Sequence, residues 1–480
     1  MIHKFITKYG LATHLALLAS LPLALTPFLP AAALGVLTLW LTAFAVYWLL
    51  VEPVILAGEH LSMARARVRA AIVRDPVFWF CVLATVFALI RWLNTGIAMT
   101  YQSDEGAWVV SSPAWSAFPG SVEAAGFLPF TVTLGAGVLS VGVLQGLGLA
   151  ARLSFGLTAS FVLGMGGLAA SLCTCFEVAP FLTRIGTDLS TGPFWGLYFA
   201  IGLLMSVVCG AQAESRRWAA SRLPFCLSVF GNGCGVLFFA PSLFAVLSVV
   251  TAGAFAVFCL VYLARVASAS AVARFFVLVF LGLVAPFVVL MSLAPASVYA
   301  AKTATMNVQS VLTESWLLTG DALARIAREI WMERPWFGGG LESFKLYLPF
   351  QATPDDWLIL PPTVSSAHNA YWTVLAERGV IGCLVLAVGV LFVIGTWVVR
   401  LVRAVLYMRD QEEAERFPFF CAPVVWLLPC VLILTGLDGA VSVTLSLGTL
   451  PLAVMMPMVL AAASFPRPPR RRTSSSRQEK

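Results

Sequence analysis

The chain has 480 residues, 60% of them hydrophobic and 11% charged, with a mean hydropathy of +0.91 and a net charge of +7. Ordinary soluble domains carry about 25% charged residues, so these figures exclude a water-soluble globular protein. The basic excess is distributed between apolar runs and reads as a topology signal, with no nucleic-acid partner implied.

Apolar runs near the ~20 residues that cross a bilayer recur along the chain, and the length rule predicts about twelve of them. They lie at 11–29, 32–51, 76–94, 127–149, 153–172, 194–212, 223–240, 242–264, 275–293, 370–398, 419–436 and 440–463. Lipid cannot satisfy backbone N–H and C=O groups, so runs of this length are expected as helices. The expected fold is an all-α integral membrane protein with about twelve transmembrane helices and one large periplasmic loop between helices nine and ten. Residues 1–293 hold the first nine spans, 294–369 the loop, 370–463 the last three spans, and 464–480 a basic cytoplasmic tail.

Lys4, Lys8 and the first apolar run, followed by Ala31-Ala32-Ala33, resemble a signal peptide. The second run follows so closely that an uncleaved first anchor is the expectation. With the N-terminus in the cytoplasm, twenty-two of the thirty Lys and Arg residues fall inside and eight outside, as the positive-inside rule requires. Both termini are then cytoplasmic. Residues 59–75 form a basic inner loop that reads as an anchor to anionic headgroups. The outer loop at 95–125 lacks Lys and Arg but holds Trp108 and Trp115, residues that favour the headgroup level.

Arg91 stands near the outer end of the third span, a position from which long basic side chains snorkel. Arg184 lies in the next outer loop beside Asp188, and a local ion pair is its plain reading. Gln145 and Asn232 are the main mid-span polar residues, and no span carries a central carboxylate. Ion-coupled transporters need such groups near the midplane, so chemistry at the outer face is favoured over transport. The ten cysteines lie mostly within apolar runs, which argues against a disulfide framework.

In the long outer segment, Leu323, Ile326, Ala327, Ile330 and Trp331 share one face of a helix expected over 321–333. Arg325 and Glu329 are spaced to pair, and Pro335 stops the helix. Gly338-Gly339-Gly340 permits a turn or a close backbone approach. Pro354-Asp355-Asp356 reads as a solvated turn sooner than a metal-binding pair. Pro361-Pro362 stiffens the approach to His368, and Ser365, Ser366 or Asn369 is placed to cap the tenth span.

Two stretches here resemble the O-antigen ligase and polymerase superfamily, bacterial inner-membrane enzymes of envelope polysaccharide assembly. Members resemble "PLxGxGxxxF", then a variable outer loop, then "HNxxLxxxxExGxxG" entering a helix. This chain has Pro335-Trp336-Phe337-Gly338-Gly339-Gly340 with Phe344 following, then His368-Asn369-Ala370-Tyr371, Glu377, Gly379 and Gly382. The resemblance covers about a tenth of the chain by motif; span count and placement of the largest outer loop agree loosely with the rest.

The resemblance implies a metal-independent glycosyltransferase without a cofactor, in the bacterial inner membrane. An undecaprenyl-diphosphate-linked glycan would pass its reducing-end sugar to an acceptor hydroxyl, on lipid A-core for a ligase or on another lipid-linked repeat for a polymerase. It implies His368 as the base, or as the group that orients diphosphate and acceptor; histidine's pKa suits either task. Guanidinium groups suit a diphosphate, but the arginines depart from the family. Its Ser-Arg-Gly step is replaced by FFAPSLFAV, and its arginine before the "PLxG" proline falls near Gly320 and Asp321. Arg325, Arg328, Arg184 and Arg91 are the candidate substitutes. Two rival classes are a polyprenyl-linked glycan transporter, which wants charged midplane residues, and a non-catalytic assembly subunit, which the missing arginines would fit.

Overall fold

The structure is a computed structural model. It describes residues 96–104, 106–111, 149–175, 193–215, 222–239, 242–293, 314–360, 369–408 and 423–441, with Ala367 and isolated positions between 16 and 120. The spans expected at 11–29, 32–51, 76–94, 127–149 and 440–463, the basic inner loop, the tail, Arg184 and His368 lie largely or wholly outside the described residues.

The described residues are mostly helical, and five helices among them are long and apolar enough to cross a membrane. The bundle is built from α1 (Leu149–Cys175), α2 (Pro193–Ser215), α3 (Arg222–Phe239), α4 (Ser242–Val266) and α5 (Ala269–Leu293). The long segment between α5 and α9, expected at the outer face, supplies α6 (Glu314–Glu333), α7 (Phe344–Gln351) and α8 (Pro354–Ile359). α9 (Ala370–Met408) packs against α6 and α10 (Pro423–Val441), and α10 packs on α2 and α4. A hairpin of β1 (Ala98–Gln102) and β2 (Ala107–Ser111) precedes them all, pairing antiparallel with Tyr101 opposite Trp108. An all-α reading misses this hairpin. Its strands are short, and their stability comes from a side chain, Val110, buried against the outer segment.

α2 is the centre of the bundle: it packs against α1, α3, α4, α5 and α10, and Gly196–Glu214 is buried throughout. A helix surrounded on all sides within lipid gains nothing from apolar transfer between partners; close packing of small residues holds it. Gly231 of α3 meets the backbone of Gly164 on α1 so closely that a Cβ there would collide with it. Asn232 then ties three helices together. Its Nδ2 donates to the carbonyl oxygens of Ser160 (2.9 Å) and Ser228 (2.8 Å), and the hydroxyls of Ser206 and Ser228 bond each other beside it. Asn232 Oδ1 faces Gly202, whose missing side chain leaves it room.

The outer segment has its own core. Leu323, Ile326, Ala327 and Ile330 of α6 pack with Phe344, Tyr347 and Leu348 of α7, and with Ile97 and Val110 of the hairpin region. The expected amphipathic helix is thus present, about two turns longer at its start, and it ends at Glu333 ahead of Pro335. The Pro354-Asp355-Asp356 step is a short helix and not a turn: Thr353 and Asp356 form a reciprocal capping box at its start.

Candidate site at the break in α9

α9 is two helices. At Gly379 the backbone takes φ 64° and ψ −170°, which interrupts the helical ladder. Such a break strands carbonyls at the end of the first piece and N–H groups at the start of the second. Near lipid these groups must find partners within the protein. The Pro335–Gly340 loop supplies them. Gly339 N–H donates to Ala376 O (2.8 Å) and Gly340 N–H to Glu377 O (2.9 Å). Val380 N–H donates to Pro335 O (2.8 Å) and Ile381 N–H to Trp336 O (3.0 Å).

Two glycines make this approach possible. Gly338 has φ 71°, and a Cβ there would strike the backbone of Glu377 and Arg378. A Cβ on Gly379 would lie 2.5 Å from the carbonyl carbon and oxygen of Trp336. The two sequence stretches that carry the family resemblance are therefore joined main chain to main chain.

A third stretch completes the junction. Leu341 N–H donates to Gly120 O (2.9 Å), and Gly120 N–H to Asn94 O (3.2 Å). Arg91, 4% exposed, donates through Nε (3.2 Å) and Nη2 (2.7 Å) to Pro119 O, and through Nη2 to Phe337 O (3.4 Å). Its guanidinium thus braces the loop instead of snorkelling to water. Glu377 is buried, its carboxylate accepts from the backbone N–H of Glu342 and Phe344, and its Oε2 has no partner among the described residues. Arg91, Glu377 and Arg378 lie near enough to act on one another electrostatically.

Arg325 is held elsewhere. Its Nη1 donates to Glu329 Oε1 (2.8 Å), the pair expected from spacing, and its Nη2 to Asp356 Oδ2. Asp356 also accepts from the backbone N–H (2.6 Å) and hydroxyl (2.7 Å) of Thr353. Burial pushes this carboxyl's pKa up, but the Thr353 and Arg325 hydrogen bonds outweigh it and hold it below the ordinary carboxylate value. The same bonds from Asp356 and Glu329 raise the Arg325 pKa. Arg328 is exposed.

His368 itself is outside the described residues, but both neighbours are fixed. Asn369 caps α9, its Oδ1 accepting from Tyr371 N–H (3.0 Å) and Trp372 N–H (3.3 Å). Ala367 N–H donates to Thr373 Oγ1 (3.1 Å), which donates in turn to Asn369 O (3.0 Å). Tyr371 reaches α10 through its hydroxyl, which donates to Gly436 O (2.9 Å).

The structure thus brings together Arg91, Gly338, Gly340, Glu377 and Gly379, starts α9 at Asn369 and Tyr371, and leaves Pro335 to bond Val380. Asn94, Gly120 and Arg378 were missed by sequence reasoning. Arg378 gave a signal, as a second charge beside Glu377 at the head of an apolar run. Asn94 and Gly120 gave none. Among the described residues no group of three His, Cys, Asp or Glu side chains is arranged to hold a metal ion. Comparison of the chain with protein-family models, with curated proteins and with solved structures finds no match.

Proposed function

We propose that the chain transfers a glycan from a polyprenyl-diphosphate carrier to an acceptor hydroxyl at the outer face of a bacterial inner membrane, in the manner of an O-antigen ligase. The observation that carries this reading is the junction of Pro335–Gly340 with Ala376–Ile381, which joins the two family-like stretches by backbone hydrogen bonds. His368 is next in sequence to Asn369, which caps the start of α9.

In the proposed reaction the acceptor oxygen attacks the anomeric carbon of the donor sugar. The bond from that carbon to the diphosphate oxygen breaks, and the diphosphate leaves with the electron pair. His368 takes the hydroxyl proton, and fixed cations stabilise the charge growing on the leaving group. Arg91 and Arg325 are engaged within the protein, so Arg328, Arg378 and Arg184 are the better candidates for diphosphate. A polymerase of the same superfamily would run the same chemistry with a second lipid-linked repeat as acceptor.

The break in α9 also bears on a transporter. Broken helices in transporters offer backbone groups to cargo, whereas here Ala376, Glu377, Val380 and Ile381 spend theirs on the Pro335–Gly340 loop. A non-catalytic subunit remains the second reading, favoured by the commitment of Arg325 to Asp356 and Glu329.

The test is transfer by the purified full chain from a radiolabelled polyprenyl-diphosphate glycan, comparing wild type with His368→Ala. Loss of at least about a hundredfold fits a general base. Equal product from both proteins removes His368 from the mechanism, and no glycosidic product from either supports the subunit.

A further inference from the structure

We infer that the Arg378 guanidinium, at the break in α9, binds a phosphate group at the depth of the lipid headgroups. Arg378 is the last residue before Gly379, in the turn where the first piece of α9 stops. A Cβ on Gly382 would meet the Cβ, Cγ and Cδ of Arg378, so the arginine stem crosses the first turn of the second piece. The guanidinium therefore stands beside the N-terminal end of a long apolar helix, near enough to Cys383 to act on it electrostatically. Arg378 is half-buried, and among the described residues its side chain makes no hydrogen bond and no ion pair. Five N–H donors in a fixed fork are left without acceptors where water is scarce. A charge uncommitted within the protein at the head of a span points to a ligand.

The neighbouring groups show what that ligand must bring. Glu377, the adjacent residue, is buried and turns its carboxylate to the backbone N–H of Glu342 and Phe344 instead of pairing with Arg378. Its Oε2 is buried and has no hydrogen-bond partner, so the same turn also lacks a donor. Arg91 acts on Arg378 as a like charge while its own N–H groups serve Pro119 O and Phe337 O. A phosphate fits this setting. Its oxygens accept from a planar guanidinium fork, and the N-terminus of the second helical piece favours the same anion. A phosphate that carries a proton, or an ester with a hydroxyl on it, also supplies a donor beside Glu377. A monoester and a glycerol headgroup both have this chemistry. The site takes up one of the arginines left open for the diphosphate, and it is read by binding, separately from transfer.

Native mass spectrometry of the full chain in detergent tests it, with undecaprenyl phosphate, dioleoylphosphatidylglycerol and dioleoylglycerol as probes. Wild type should retain one phosphate-bearing lipid at least about tenfold more tightly than dioleoylglycerol, the scale of one hydrogen bond to a charged group. Tighter retention of undecaprenyl phosphate marks a carrier site, and of phosphatidylglycerol a headgroup site. Displacement of both by inorganic phosphate marks the anion alone as the ligand. Arg378→Ala should erase the difference from dioleoylglycerol and leave the melting temperature unchanged, because the side chain bonds nothing among the described residues. Arg378→Gln, of similar reach and without the charge, serves where Arg378→Ala does not fold. A phosphate lipid held by a chain that makes no glycosidic product keeps this site while the transferase reading fails. Equal retention of all three lipids by wild type, or undiminished phosphate lipid on a folded Arg378 variant, overturns the site even where transfer is intact.

Discussion

Gly379 concentrates the strain of the outer-face junction in one residue. Its positive φ is costly for any residue with a Cβ, and the Cβ would also meet the Trp336 carbonyl. Gly379→Ala should lower stability by about 1–3 kcal/mol, read as a fall in melting temperature of the detergent-solubilised chain. Glu377 makes a different contribution. Glu377→Ala should cost about 1–3 kcal/mol by stranding the buried N–H groups of Glu342 and Phe344, while Glu377→Gln, which keeps an acceptor oxygen, should cost less in the same melt. Asp356 introduces a pH dependence. Its folded-state pKa lies below the unfolded value, so its contribution is complete above about pH 4 and lost as pH falls through the folded value. The protection of α8 amides relative to their intrinsic exchange rates should therefore fall in acid in wild type, and Asp356→Asn should flatten that response while lowering protection at neutral pH.

At the scale of elements, α6 was legible and the break in α9 was not. The buried face of α6 recurs every three to four residues, and its Arg325–Glu329 pair follows from spacing alone. Gly379 looks like any glycine at the head of an apolar run, where glycine is common. What demands the break is a partner loop nearly forty residues upstream, and no local pattern announces that. The hairpin escaped for the same reason, since Val110 earns its place only by packing on α6 and α7. The Arg91 brace follows this logic across the longest separation. Arg91→Ala should leave the carbonyls of Pro119 and Phe337 short of donors in a buried setting, at about 1–3 kcal/mol. Arg91→Lys should recover only part of this, because an ammonium lacks the planar fork that reaches both carbonyls. Limited proteolysis near Gly120 is the measurement that follows both.

For the whole molecule, composition announced a membrane protein and apolar run length anticipated the five long apolar helices found among the described residues, but packing order was invisible. Nothing in the run at 194–212 marks α2 as the central helix, since a lipid-facing helix and a protein-encased one are equally apolar. The glycines at 164, 202 and 231 carry that information only once their contacts are known. Gly231→Leu should separate α1 from α3 and destabilise the bundle by several kcal/mol through overpacking, visible as loss of the monodisperse peak in gel filtration. Sidedness is tested separately. A membrane-impermeant maleimide added from outside should label Lys345→Cys and spare Ser270→Cys, since the basic residues assign 345 to the outer face and 270 to the inner one; the reverse pattern would invert the topology.

The seam between the Pro335–Gly340 loop and α9 also sets an order of events during synthesis. Gly339 and Gly340 leave the ribosome well before Ala376 and Glu377, the carbonyls that receive their amides. Until then the growing polypeptide presents unsatisfied main-chain groups where water is scarce. A chain that stops between these points therefore leaves the amides of Gly339 and Gly340 and the carbonyls of Pro335 and Trp336 without the partners that α9 supplies.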